Sequence, residues 1–231
     1  MPTIFSKDTR NITSWPNLGL NYWGITKCGN TSIKHHLFKQ TSGSVFTRPE
    51  LDIHDGVDTE EISPKEANEN GHRNFCVVRH PVSRFFSMYK DMCLSRPERG
   101  KLAGVEQNWS PLDLINFIMN VEDRKMLDVH FVEQNRFIKE AKNCIIIKLE
   151  RLSSDWPFSF PYPKKRKNVT EILQKVNFKL SNVSTELENY IYQFYSDDYK
   201  ILGYDRDIPQ LNDIENNTFY DKVKKYFFLS S

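Results

Sequence analysis

The sequence predicts an α/β layer fold whose central, mainly parallel sheet is flanked by helices. Three stretches carry that prediction. Residues 22–38, YWGITKCGNTSIKHHLF, read as a short buried strand, a tight loop opening on Lys27, and a helix. Residues 74–91, NFCVVRHPVSRFFSMYKD, repeat the plan of strand, turn and helix. Residues 144–149, CIIIKL, give the clearest strand pattern in the chain. Strands alternating with helices build parallel sheets. In such sheets ligands bind beyond the carboxyl ends of the strands, where Lys27 and Arg79 both fall. Two strand–turn–helix units in one small chain point to one ligand with anionic groups at both ends.

The elements follow in order. Residues 1–20 are polar and turn-rich, an expected N-terminal arm or irregular cap. After the strand at 22–26, Gly29 allows positive φ and close backbone approach. The helix that follows puts Ile33, Leu37 and Phe38 on one face. Its first N–H groups point outward and favour an anion. Residues 44–47 suggest a strand, and 50–71 an acidic loop punctuated by Gly56 and Pro64. Pro81 opens the second helix, where its missing N–H costs nothing, and Val82, Phe85, Phe86 and Tyr89 form its apolar face. Ser110-Pro111-Leu112-Asp113 is a helix start, with a hydroxyl cap, a first-turn proline and an acid. Residues 128–139 read as helical and 152–167 as a loop. Two more helices are expected, from about Val169 and, capped by Ser184, over residues 185–202. The tail, FYDKVKKYFFLSS, suits a short amphipathic helix packed on the body.

Composition narrows the function. The chain has 231 residues, 39% hydrophobic, enough for one globular domain with a sizeable core. Its 32 Lys+Arg against 30 Asp+Glu leave no basic stripe, which disfavours nucleic acid as a partner. Anion binding must come from local clusters. The first twenty residues lack a sustained apolar run, so neither signal peptide nor membrane span is expected. The chain therefore reads as cytoplasmic, or as a soluble domain cut from something longer. Cys28, Cys76, Cys93 and Cys144 lack metal-ligand spacing, and no metal site or disulfide framework is expected.

The chemistry centres on two loops. The first is not a Walker loop, because Lys27 opens it and no glycine precedes it at the required spacing. The second reads Arg79-x-Pro81-x-x-Arg84-x-x-Ser87-x-Tyr89. Ser87 lies two helical turns beyond Arg79, and a guanidinium fork with a hydroxyl suits a phosphate monoester.

This pairing resembles the two signatures of sulfotransferases that use 3′-phosphoadenosine 5′-phosphosulfate (PAPS). The lysine-first loop is similar to their 5′-phosphosulfate loop, and RHPVSRFFSMY to their 3′-phosphate motif. Two later stretches resemble the Golgi-type carbohydrate sulfotransferases that include the chondroitin and heparan enzymes. They are His130-Phe131-x-x-Gln134 leading to CIIIKLERL, and Phe194-Tyr195-x-x-Asp198-Tyr199-x-x-Leu202-Gly203-Tyr204. The resemblance spans roughly residues 22–204. It implies a three-layer, P-loop-like fold in a single domain over 1–231, with 205–231 as a C-terminal tail. Thr26 stands where a proline commonly precedes the loop lysine.

The resemblance also assigns roles. Lys27 would contact the sulfate and the bridging oxygen. The amides of Cys28, Gly29, Asn30 and Thr31, with the hydroxyls of Thr31 and Ser32, would cradle the 5′-phosphate. Arg79 and Ser87 would hold the 3′-phosphate. The implied reaction is in-line transfer of a sulfuryl group to an acceptor hydroxyl of a carbohydrate, leaving 3′-phosphoadenosine 5′-phosphate, with no metal. Positioning and charge neutralisation carry such transfers.

An acceptor hydroxyl needs a general base, and an imidazole suits neutral pH. His54 is the candidate because related enzymes place a histidine between the two motifs; Asp52 and Asp55 are the carboxylate alternatives. His130 is a candidate acceptor contact or a satisfied helix histidine. Lys165, in the basic run 164–167, could clamp an anionic glycan or sit in a solvated turn. His35, His36 and His72 read as structural, and Arg84 as a brace. Two rival readings remain, a kinase of the phosphate-loop class with a magnesium requirement, and a non-catalytic module binding glycans or nucleotides.

Overall fold

A computed structural model describes residues 11–44, 60–163 and 184–207. His54, Asp52, Asp55, Lys165, most of the expected 44–47 strand, the helix from Val169 and the C-terminal tail lie outside the described residues. The strands are β1 (Asn11–Trp15), β2 (Leu20–Gly24), β3 (Glu60–Glu61), β4 (Arg73–Val78) and β5 (Ile145–Lys148). The helices are α1 (Asn30–Ser42), α2 (Pro64–Glu69), α3 (Pro81–Tyr89), α4 (Pro97–Leu102) and α5 (Pro111–Met119), then α6 (Asn135–Ile138), α7 (Leu152–Asp155), α8 (Thr185–Phe194) and α9 (Ser196–Leu202). The chain divides into two compact units. Of the described residues, 11–44, 60–79 and 133–163 form one, with the sheet; 80–132 and 184–207 form the other, which is helical.

In the sheet unit the strand order is β3-β1-β2-β4-β5. Strands β2, β4 and β5 pair in parallel, and β1 runs antiparallel to both β2 and β3. Four of the five strands therefore share one direction, which makes the sheet mainly parallel as expected. The residues expected to form an arm instead supply β1. Its Thr13 and Ser14 look like surface residues in the sequence, yet both are buried, in a strand paired on both sides. Pairing satisfies the backbone there, and Trp15 Nε1–H donates to Thr13 Oγ1 at 3.1 Å.

Alternation assigns the faces of the sheet. Leu20, Tyr22, Phe75, Val77 and Ile147 join Ile33, Leu37 and Phe38 of α1 in one buried cluster. These three are the apolar face the sequence predicts for α1. The intervening residues Asn21 and Asn74 are buried and polar. Asn21 Nδ2 donates to Ala67 O at 2.9 Å, and Trp23 Nε1–H donates to Asn74 Oδ1 at 3.0 Å. This network ties the sheet to α2, a helix inside the stretch expected as loop. A capping box starts it: Glu66 N–H donates to Ser63 Oγ at 3.2 Å, and Ser63 N–H to Glu66 Oε2 at 2.7 Å. The helix expected over 128–139 is confined to α6, and the loop expected from 152 begins with the short α7.

The helical unit forms its own core. Val82, Phe85 and Met88 of α3 meet Leu114, Ile115 and Ile118 of α5 and Leu187, Ile191 and Phe194 of α8. Each such side chain contributes about 1.5–3 kcal/mol by leaving water. α3 continues into a π-helical turn over Lys90–Ser95, where Arg96 pairs with Asp91 through Nε at 2.7 Å and Nη2 at 2.6 Å. Gly100 of α4 packs so closely that a Cβ would lie 2.2 Å from Met92 O. Ser110 and Ser184 cap α5 and α8 as expected. The helix expected over 185–202 breaks at Tyr195, whose buried hydroxyl donates to Phe131 O at 2.8 Å.

Candidate anion-binding site

The β2–β4 ladder runs only as far as Trp23↔Cys76, whereas β4–β5 pairing continues to Val78↔Lys148. Beyond Trp23 and Cys76 the two parallel strands carry the Lys27 loop and Arg79 at the same end of the sheet. The carboxyl ends of parallel strands are where open α/β sheets bind ligands.

Lys27 is half-buried with φ 65°, a left-handed conformation that costs a non-glycine residue about 1–2 kcal/mol. Among the described residues only Asn143 shares that feature outside glycine. Strain of this kind persists where the surrounding structure over-determines it, and it concentrates at functional sites. Gly29 follows with φ 79° at the cap of α1, and a Cβ there would stand 3.2 Å from Leu149 Cδ1. The first helical bond joins Ile33 N–H to Gly29 O at 3.0 Å. The preceding N–H groups, of Asn30, Thr31 and Ser32, have no intrahelical acceptor by construction. No acidic residue occupies the first turn of α1, so the positive end of its dipole is not neutralised there. Asn30 Oδ1 is buried with no hydrogen-bond partner, an unsatisfied polar atom in this loop.

Arg79 stands one residue past β4 and reaches the first loop directly. Its Nη1 donates to Lys27 O at 3.4 Å. Its backbone is held by Gln134: the N–H donates to Oε1 at 2.8 Å, and the carbonyl accepts from Nε2 at 2.8 Å. The buried Cys28 thiol donates to the same Oε1 at 3.0 Å. Lys27, Cys28, Gly29, Asn30, Thr31, Ser32 and Arg79 are thus brought together within the sheet unit. Gln134 was visible in the sequence only as the end of the His130-Phe131-x-x-Gln134 stretch, with nothing in its spacing to show that it reaches both loops.

Below the loop, burial pushes the Tyr22 phenol well above its usual range, with Cys28 and Cys76 adding to the effect. Cys76 is raised too, first by its contact with Cys144 and then by burial. His36 Nε2 lies 2.6 Å from Pro161 O and its ring packs on Trp156 and Phe160. Burial lowers its pKa despite that carbonyl contact.

Ser87, Arg84 and His130 belong to the helical unit. Ser87 is half-buried on α3. Arg84 is a brace, as expected: it is buried and donates from Nη1 to Val132 O at 2.8 Å and from Nη2 to His130 O at 3.4 Å. His130 is also buried. Its Nδ1 lies 2.6 Å from Asp128 Oδ1 and its Nε2 3.2 Å from Arg99 Nη2. Burial pushes the Asp128 carboxyl up, but the hydrogen bonds and charges of His130 and Arg99 outweigh it and hold the carboxyl below its usual range.

Among the described residues no cluster of three or more His, Cys, Asp and Glu is placed to hold a metal. No helix there is long and apolar enough to cross a membrane.

The fold and loop define an α/β protein with two basic residues, Lys27 and Arg79, beyond the ends of two parallel strands. The model of the sulfotransferase family matches residues 10–205, and the chain belongs to that family. Comparison with curated proteins and with solved structures found no match.

Proposed function

We propose that this chain is a PAPS-dependent sulfotransferase that transfers a sulfuryl group to a hydroxyl of a carbohydrate, in a glycan or a glycolipid. The observation that carries the reading is the contact between Arg79 and the strained Lys27 turn at the ends of neighbouring parallel strands. Membership of the sulfotransferase family supports the reaction class.

The donor set fits a ligand that is anionic at two points. Lys27, the loop amides and the hydroxyls of Thr31 and Ser32 would hold the 5′-phosphosulfate. Arg79 would hold the 3′-phosphate, with Ser87 carried over from the sequence motif. When bound, PAPS supplies the sulfuryl group and a phosphate leaving group. Lys27 would neutralise charge developing on the bridging oxygen, a role whose loss costs roughly 3–4 kcal/mol. His54 would take the acceptor proton, with Asp52 or Asp55 as the carboxylate alternative. Lys165 would meet an anionic acceptor. For His130 to contact the acceptor, its imidazole would have to exchange Asp128 or Arg99.

The test is calorimetric binding of 3′-phosphoadenosine 5′-phosphate without magnesium, set against ATP, on wild type and Arg79→Ala. Tight binding that needs the 3′-phosphate and weakens in the variant is the expected result. Preference for ATP, or no binding of either nucleotide, would move the reading to a kinase or a binding module.

A further inference from the structure

We propose that Gln134 is a positioning residue that locks the lysine loop and Arg79 into one anion-binding unit. What the unit binds rests on the sulfotransferase reading above. The lock itself rests on contacts within the sheet unit.

Gln134 is fully buried, and its carboxamide touches both loops. Oε1 accepts from Arg79 N–H at 2.8 Å and from the Cys28 thiol at 3.0 Å; Nε2 donates to Arg79 O at 2.8 Å. Strand pairing serves β4 as far as Val78↔Lys148. At the next residue the Gln134 side chain takes over the pairing, presenting one acceptor and one donor as a neighbouring strand would. Only one orientation of the carboxamide satisfies both Arg79 groups. Arg79 Nη1 then reaches Lys27 O at 3.4 Å, and Cys28 follows Lys27 in the chain. The ring Lys27–Cys28–Gln134–Arg79 is therefore closed.

That ring has two consequences. It sets the spacing between the cation at one loop and the cation at the other, which transfer chemistry requires to well within an ångström. It also holds the strained Lys27 turn from two sides, through the Lys27 carbonyl and the Cys28 thiol. A glutamine that only satisfied the core would stabilise the fold without coupling to Arg79. A lock makes the effect of Gln134 depend on Arg79.

Binding of 3′-phosphoadenosine 5′-phosphate is measured by calorimetry on wild type, Gln134→Met, Arg79→Ala and the double variant, with thermal unfolding reporting the fold of each. Gln134→Met keeps the volume and removes the hydrogen bonds to Arg79 and Cys28. It is expected to weaken binding about tenfold in the wild-type background and much less once Arg79 is alanine. An equal loss in both backgrounds, or none in a folded Gln134→Met, overturns the proposal. Cys28→Ala removes one contact of the ring and covers the case in which Gln134→Met does not fold. It is expected to weaken binding about threefold, and unchanged binding overturns the lock.

A second measurement needs no nucleotide. The whole chain is alkylated with N-ethylmaleimide and each cysteine is followed by mass spectrometry. Cys28 is expected to react about tenfold faster in Gln134→Met as its loop opens locally, while buried Cys93 stays protected. No change at Cys28 overturns the lock. If wild type binds no nucleotide but Cys28 still responds, the lock stands and the sulfotransferase reading falls.

Discussion

Arg79 and Lys27 are joined by a hydrogen bond from a guanidinium nitrogen to a backbone carbonyl, at 3.4 Å, although 52 positions separate them in the chain. The bond spans the ends of two parallel strands whose direct pairing has already stopped at Trp23↔Cys76. A cation from one signature thus braces the backbone of the other.

The strain at Lys27 gives a prediction that separates activity from stability. Lys27→Ala and Lys27→Gly are both expected to lose sulfuryl transfer by about a hundredfold to a thousandfold. Glycine relieves the left-handed backbone, a gain of about 1 kcal/mol before its extra chain entropy is counted. Lys27→Gly is therefore expected to melt above Lys27→Ala, by about 2–4 °C. Paired melting curves and initial rates check this. A glycine variant melting below the alanine one would show that the turn is not strained.

Arg79→Ala is expected to weaken 3′-phosphoadenosine 5′-phosphate about tenfold to a hundredfold and 5′-AMP by less, since 5′-AMP loses only the brace on the Lys27 loop. Arg79→Lys is expected to restore only part of the loss, because an ammonium cannot reproduce the planar fork. Calorimetry with both nucleotides reads the difference. Equal losses for both would mean that Arg79 does not meet the 3′-phosphate.

Gly29 is constrained twice, by φ 79° and by the 3.2 Å approach to Leu149 Cδ1. Gly29→Ala is expected to cost about 1–2 kcal/mol of stability. It should also weaken nucleotide binding, because this residue sets the direction of the first N–H groups of α1. Denaturant unfolding with and without nucleotide tests both effects, and an alanine variant of wild-type stability would refute the first.

Asp128 predicts a pH dependence of stability. Its folded-state carboxyl is held below the ordinary value of 3.8, so it contributes stability at neutral pH. That contribution is complete above the unfolded value and fades as pH falls through the folded one. Asp128→Asn lacks it at every pH. The stability gap between wild type and variant is thus expected to be full at pH 6 and to close as the medium is acidified below about 4. Urea unfolding across that range is the check, and a gap independent of pH would contradict it.

Much of the local structure around the candidate site was legible because the signals are local. A lysine, a glycine and a polar turn before an apolar helical face place an anion-friendly helix start at Asn30, whatever packs around it. Proline at 81 and serine at 110 mark helix starts in the same way, and the run of isoleucines over Ile145–Lys148 suits a strand. The polar strand β1 was not legible, because Thr13 and Ser14 are buried by tertiary packing and not by their own character. Helix α2 hid in an acidic stretch, since its stability comes from a capping box and from asparagines that meet it across the sheet.

The sequence by itself determined the α/β class and the two strand–loop–helix units that carry Lys27 and Arg79. Backbone propensity, caps and charge act over a few residues, and each is written in contiguous sequence. The tertiary structure alone decided that Lys27 sits in a strained turn, that Arg79 reaches back to hold it, and that Gln134 grips both. Those contacts depend on where parallel strands stop pairing and on which buried polar atoms then need partners, a condition that exists only once the sheet has formed.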